Sequence, residues 1–239
     1  MKKLLALVFL SLSPVVLGQE EKVKFKGVDF RVYRADPEKV RLGWRDERGE
    51  NLHSLQGAKT FFEKDGEKVK MITNGGIFEP GCVPSGLYVE KGKVIRPLNL
   101  KPGKGNFFLK PNGVFLVEKD SNKARVMESR AFAKEKPSAQ LAVQSGPLLL
   151  AGGKIHPAFN EGSKNQLLRN GVGVDDKGRV VFAITADKHY CNLWTFASLF
   201  KSLGCKDALF LDGDLSRMIV NPGEKITGQG FASIFAVVE

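Results

Sequence analysis

The sequence predicts an α+β fold: a mixed, largely antiparallel β-sheet with a few helices and one C-terminal βαβ unit. Three observations carry this. Most of the chain is cut into short apolar runs separated by glycine and proline turns. Helical spacing appears clearly in only two stretches, 51–64 and 192–203. The second of these stands between two strand-like runs, and a strand–helix–strand crossover makes its strands parallel and right-handed.

The elements follow in order. Val23 to Tyr33 alternates apolar and polar residues around Gly27, which predicts a hairpin, and Val40 to Trp44 reads as another strand. Asn51 to Lys64 carries Leu52, Leu55, Ala58, Phe61 and Phe62 at helical spacing, with Gly66 just beyond. Val69 to Thr73 returns to strand and breaks at Asn74-Gly75-Gly76. Four short runs come next, at 86–90, 93–96, 106–110 and 114–118, with Lys91-Gly92 and Pro111-Asn112-Gly113 as hairpin signals. Gln140–Gln144 and Leu148–Leu150 flank Ser145-Gly146-Pro147, and the polar segment 158–166 reads as a loop. Gly171–Val174 and Arg179–Thr185 form a hairpin across Asp175-Asp176-Lys177-Gly178. Asn192 caps the second helix, Gly204 ends it, and Ala208–Leu211, Met218–Val220 and Ser233–Val238 complete the sheet.

The first residues have the layout of a secretory signal: Lys2 and Lys3, an apolar run from Leu4 to Leu17, and the small Gly18. That run falls short of the roughly 20 residues a spanning helix needs, and Pro14 interrupts it. Residues 1–18 are therefore read as a signal peptide and 19–239 as a single domain with a full core. The expected location is periplasmic or secreted, with no stable membrane anchor after cleavage.

The net charge of +11 includes the two lysines of the leader. The remaining lysines are spread along the chain with no aromatic-interleaved stripe, so no nucleic-acid partner is expected. Cys82, Cys191 and Cys205 leave an odd thiol. Cys191 and Cys205 flank a helix whose ends lie roughly 18 Å apart, too far for a bridge, while a Cys82–Cys191 bond and three free thiols both stay open. His53, His156 and His189 are scattered, no spacing resembles a zinc site, and no cofactor is expected.

The βαβ unit turns the carboxyl ends of its two strands to one edge, where α/β sheets tend to bind ligands. That edge carries Asp187 after the first strand and Asp212-Gly213-Asp214 after the second. Asp212 with Asp214 could hold a hard cation through oxygen. Gln144-Ser145-Gly146 lacks the first glycine of a nucleophile elbow, so a serine hydrolase is not expected. Arg169 would matter if it faced the Asp212 edge, since its planar fork suits phosphate.

Asn74-Gly75-Gly76-Ile77-Phe78, Pro84-Ser85-Gly86-Leu87, Gln144-Ser145-Gly146-Pro147, Arg169-Asn170-Gly171-Val172-Gly173 and Leu211-Asp212-Gly213 occur in that order. Over roughly residues 69–238 the set resembles the phosphodiester glycosidase family, especially its small exported bacterial branch. Two positions depart from the family pattern: Asp214-Leu215 intervene where further glycine and paired serines are common, and Ile77 stands where an aromatic or methionine is common.

The resemblance implies a hydrolase cleaving between an anomeric carbon and a phosphate oxygen, with a glycan or sugar phosphate as substrate. The leaving group needs little acid assistance; a carboxylate and phosphate donors remain necessary. On that resemblance Asp212 is the expected carboxylate and Asp187 a second. Asn74, Gly75, Gly76, Ser145, Arg169, Asn170, Gly213, Ser216 and Arg217 are the expected substrate-binding residues. The alternatives are a glycan-binding module of the envelope and a metal-dependent phosphodiesterase using Asp212 and Asp214.

Overall fold

The computed structural model describes residues 17–239; the signal-peptide reading falls almost wholly outside the described residues. The chain opens with β1 (Glu20–Phe25) and β2 (Val28–Ala35), joined by Lys26-Gly27 with both residues at positive φ, the conformation a tight hairpin demands. β3 (Val40–Gly43) precedes α1 (Leu55–Glu63). The helix starts later than its apolar spacing suggests because Ser54 caps it, its hydroxyl accepting the Gly57 N–H at 2.9 Å. β4 (Val69–Asn74) is followed by the short pair β5 (Phe78–Glu79) and β6 (Val83–Pro84), then by β7 (Tyr88–Glu90) and β8 (Lys93–Arg96).

β9 (Gly113–Glu118) and β10 (Ala124–Glu128) form a hairpin, and α2 (Ser129–Glu135) follows directly. The expected strand at 106–110 is instead a 3₁₀ turn at Asn106–Phe108, whose Phe107 carbonyl accepts the buried Asn112 side-chain amide at 2.8 Å. The segment 124–135 carries a strand and a helix that the sequence reading lacked. β11 (Ala139–Ser145), β12 (Leu148–Ala151) and β13 (Lys154–Ile155) come next, and then β14 (Asn170–Asp175) and β15 (Val180–Thr185). α3 (Leu193–Ser202), β16 (Cys205–Asp212), β17 (Met218–Val220) and β18 (Ile234–Val238) end the chain.

The strands make a seven-stranded sheet in the order β1-β2-β15-β14-β16-β12-β13, a five-stranded sheet β10-β9-β11-β7-β8 and a four-stranded sheet β17-β4-β18-β3. Every paired neighbour is antiparallel. The βαβ unit is split: β15 and β16 run in the same direction, as expected, but β14 lies between them and pairs with both. Asn170 at the start of β14 is opposite Ile184 on one side and Asp212 on the other, so the two carboxyl ends do share an edge.

The inner faces of the three larger sheets share one core, with Tyr33, Phe182 and Leu209 from the first, Phe115 and Val143 from the second, and Met71 and Phe235 from the third. Each sheet has a second covered face. α3 lies on the seven-stranded sheet through Phe196, Leu199 and Phe200, and α1 on the four-stranded sheet through Leu55, Ala58 and Phe62. The five-stranded sheet packs Leu87, Val114 and Leu116 against Leu98 and Phe132. The central strands, such as β9, β15 and β16, are thus apolar on both faces. Cys82, Cys191 and Cys205 are all free thiols, and the last two are buried in the α3 layer.

Gly171 and Gly173 explain how α3 can lie so close to β14. Side chains added there would meet Phe196 and the Leu209 carbonyl in the first case, and Cys205 Sγ and Phe200 at 2.9 Å in the second. Gly173→Ala should therefore cost about 1–3 kcal/mol by overpacking. Gly223→Ala, which has nothing within 4 Å of its added atom, should be close to neutral. Thermal melts of the two variants beside the parent check this, and equal melting temperatures would contradict the packing argument.

Candidate active site

One end of each large sheet arrives at the same place. β4 of the four-stranded sheet ends at Asn74, β11 of the five-stranded sheet at Ser145, and β16 of the seven-stranded sheet at Asp212, beside the start of β14 at Asn170. Backbone pairing stops there, so polar side chains take over the exposed ladder ends. Asn170 accepts the Asp212 N–H on Oδ1 at 2.7 Å and donates from Nδ2 to the Asn74 carbonyl at 3.1 Å. Asn74 accepts the Arg217 N–H on Oδ1 at 2.9 Å. Ser145 accepts the Ile77 N–H at 3.2 Å and donates to the Leu211 carbonyl at 3.1 Å, joining the five- and seven-stranded sheets to the loop that follows β4. An amide side chain suits the two asparagine positions because it donates and accepts at once.

Asp212 is the only ionisable member of this buried knot. Its Oδ1 accepts the Gly213 N–H at 2.7 Å, whereas its Oδ2 is buried and without a partner. Asn74 Nδ2, Ser216 Oγ and Ser233 Oγ are likewise buried and unpartnered. Buried polar groups are normally paired. Four of the eight unpartnered atoms among the described residues nonetheless belong to Asp212 and to residues tied to its network: Asn74 through Asn170, Ser216 through the Gly213 carbonyl and Ser233 through the Gly75 amide. Burial raises the Asp212 carboxyl from its ordinary 3.8 to about 6; the Gly213 N–H opposes the rise and the charge of Asp214 adds to it. Gly213 has ordinary negative backbone geometry and no protein atom nearer than 3.7 Å to a side chain added there, so its missing Cβ leaves room beside the carboxylate.

The structure sorts the sequence-derived residues. Asn74, Asn170, Asp212, Gly213 and Ser216 come together, and Arg217 stands exposed at the rim with Nη1 on the Ser216 carbonyl at 3.0 Å. Ser145 has both its hydroxyl bonds used within the protein, so it holds the site rather than a ligand. The Gly75 amide is likewise committed, to the Ser233 carbonyl at 2.7 Å. Gly75 and Gly76 are small because Ser233 and Ser145 press against them, at 2.3 Å and 3.0 Å from an added side chain. The Gly75 amide is therefore not open to a ligand in the way expected of it.

Asp187 lies in an exposed turn after β15 and lines a cavity with Glu20, Asp29 and Arg31, apart from the Asp212 network. Arg169 is fully buried on the opposite face of β14 from Asn170, its Nε on the Cys191 carbonyl at 3.2 Å. Ser233 is the member that sequence reasoning missed: a serine at a strand entry carries no signal until the sheet order places it. Among the described residues no group of three His, Cys, Asp or Glu gathers at one point.

A family model described as phosphodiester glycosidase matches residues 67–234. The uncharacterised protein YigE of Escherichia coli (strain K12) is 36% identical over 196 residues, spanning 81% of this chain and 75% of that protein. The zebrafish N-acetylglucosamine-1-phosphodiester alpha-N-acetylglucosaminidase catalytic domain, solved auto-inhibited by its pro-peptide, has a TM-score of 0.65 at 15% identity. The match covers 92% of this chain and 82% of that one. A hypothetical protein from Synechocystis has a TM-score of 0.57 at 12% identity, covering 92% of this chain and 61% of its own. At these identities the two structures establish the shared fold.

The displaced Asp212 carboxyl has a consequence for stability. Its folded form holds a proton that the unfolded chain releases near 3.8, so the favourable contribution is complete below that pH and is lost as pH rises through about 6. Asp212→Asn, which keeps an acceptor for the Gly213 N–H, should stabilise the fold by up to about 3 kcal/mol above pH 7. The gain should shrink towards zero near pH 4. Denaturant melts across that range test it; a destabilised Asn variant at neutral pH would show that the charge is compensated.

Proposed function

Because the chain belongs to the phosphodiester glycosidase family, we propose that it is an exported hydrolase cleaving the glycosidic bond of a sugar phosphodiester or related envelope or exopolysaccharide glycan. Asp212 is its working carboxylate. The observation that carries this reading is the company Asp212 keeps: one mostly buried carboxylate with a free Oδ2, in a hydrogen-bonded network whose Asn74, Ser216 and Ser233 side chains also carry unpartnered buried atoms. Export is carried by the leader pattern of residues 1–18 alone.

The chemistry suits a single carboxylate. A plain glycoside needs a second carboxyl group to protonate its leaving oxygen. In a sugar phosphodiester the leaving group is a phosphate monoester, a stable anion that needs donors instead. Here Asn74 Nδ2 and the hydroxyls of Ser216 and Ser233 would hold the phosphate oxygens, with the Arg217 guanidinium closing from the rim. Asp212 Oδ2 would face the anomeric carbon and stabilise the positive charge that develops as the carbon–oxygen bond breaks. Water adds at the anomeric carbon as the phosphate monoester departs, and the proton it loses passes to that phosphate. Asp187 has no part in this arrangement.

The ionised form of Asp212 does this work, so activity should be full above about pH 7 and fall as pH drops through about 6, where the carboxylate takes a proton. Sugar release from a panel of sugar phosphodiesters by the purified protein is the direct measurement. Asp212→Asn should lower kcat by roughly a thousandfold or more while the protein stays folded. Chelator should leave the rate unchanged. Binding without release would favour a glycan-binding module, and chelator-sensitive cleavage at phosphorus a metal-dependent phosphodiesterase.

Gly213→Ala supplies an independent check on where the substrate sits. Its added methyl has no protein atom to displace. Unchanged melting should therefore accompany a loss in kcat/KM of roughly tenfold, the ordinary scale for a misplaced reacting group. Wild-type kinetics in that variant would move the substrate away from Asp212.

A further inference from the structure

Arg169 poses a problem that the Asp212 site does not solve. It is the largest fully buried side chain, 1% exposed, and among the described residues no carboxylate lies within ion-pairing distance of it. Its Nε is held by the Cys191 carbonyl at 3.2 Å and its Nη2 by the Asn165 carbonyl at 3.2 Å, while Phe210 stacks beneath at 5.6 Å. Two neutral carbonyls fix the fork, burial pushes its pKa down, and the charges of Cys191 and Asp214, neither of them ion-paired with it, oppose that only in part. A buried cation kept in that state is costly unless an anion visits it.

The space it opens into fits such a visitor. A cavity of 230 Å³ is lined by Arg169, Asn165, Ser163, Asn106, Leu193 and Trp194. At about 30 Å³ per water molecule, that is room for several waters or one sugar ring. Leu193 and Trp194 are the first two residues of α3, and Asn192 caps Thr195 instead of them. Their amides have no carbonyl within the helix, so the positive end of α3 opens on the same space. Trp194 also lines it, and the ammonium of Lys26 lies 4.5 Å from the centre of the Trp194 ring.

We propose that this cavity is a second glycan subsite, which takes a sugar ring carrying a phosphate or carboxylate, the anion on Arg169 and the α3 amides and the ring against Trp194. The choice of a sugar as the anion's carrier rests on the hydrolase reading above. Arg169 and Asn170 point to opposite faces of β14 at the same sheet end, and the Leu168 carbonyl lies 3.7 Å from the position of a Gly213 side chain. A chain of charged sugars running over that end would place one unit at Asp212 and its neighbour at Arg169. The substrate implied is an anionic polymer rather than a single small diester.

Calorimetric titration of the folded Asp212→Asn protein tests the subsite without turnover. Glucose 6-phosphate and glucuronate separate the two sources of the anion, with glucose and inorganic phosphate as the uncharged and sugarless arms. One or both charged sugars should bind roughly tenfold more tightly than glucose or phosphate. Trp194→Ala should remove that advantage and Trp194→Phe restore most of it; Asn165→Ala, at an exposed position, should weaken the charged sugars by loosening the guanidinium. Arg169→Lys, if folded, should lose affinity as well. No binding of either charged sugar, or binding indifferent to Trp194→Ala, would overturn the subsite. Sugar release that depends on Asp212 is scored separately on the wild-type protein, so either idea can fail while the other stands.

Discussion

The rest of the structure depends on the hydrogen-bonded tie between Asn74, Asn170 and the end of β16. Three antiparallel sheets share a core of side chains such as Phe115, Phe182 and Phe235, and apolar packing alone would let them slide. Directional bonds fix the register where the sheets end: Asn170 holds Asp212 on one side and Asn74 on the other, and Ser145 spans from Ile77 to Leu211. These bonds lie in a buried place, where a lost partner costs about 1–3 kcal/mol. The sheets therefore cannot shift without breaking the knot, and the knot cannot relax without moving the sheets. Asp212 inherits its position from that mutual constraint.

Glycine and serine play one role around the knot. Gly86 leaves space for the Gln144 amide, whose Oε1 accepts the Leu87 and Asn99 N–H groups at 3.0 and 2.9 Å. That bond set ties the loop after β8 to the end of β11, at the residue before Ser145. Gly171 and Gly173 bring α3 down upon β14 in the same manner. The motifs Asn-Gly-Gly, Pro-Ser-Gly, Gln-Ser-Gly-Pro and Arg-Asn-Gly-Val-Gly are thus largely scaffolding. They set where Asp212, Ser216 and Ser233 stand, and few of their members need touch a ligand.

This explains what the sequence made legible and what it hid. Hairpins with glycine turns, the capped α3 and the common edge of β15 and β16 were readable because each rests on local pattern. The insertion of β14 between those strands was not, since pairing order is set by the whole core. The 124–135 segment mixes charged residues with a few apolar ones, and its strand is recognisable only once β9 is beside it. For the site, an Asp at a strand end was a visible signal, whereas Ser233 and the true occupation of Ser145 depended on contacts across sheets. Arg169 was visible as a residue type but not as a cation facing away from Asp212.

The burial that strains Asp212 is also what suits it to the proposed reaction. A carboxylate raised to about 6 is more basic and less solvated than an ordinary one, yet still ionised at neutral pH. In that state it answers a developing positive charge more strongly than a surface carboxylate would, because little water competes for it. In the proposed arrangement the Asn74, Ser216 and Ser233 donors stabilise negative charge, so the site would offer opposite fields to the two ends of a breaking sugar–phosphate bond. A plain glycoside, whose leaving alkoxide must be protonated, would find one half of that arrangement without the acid it needs. The unpartnered groups, one carboxylate oxygen with an amide N–H and two hydroxyls able to donate, therefore suit a leaving group that is already an anion.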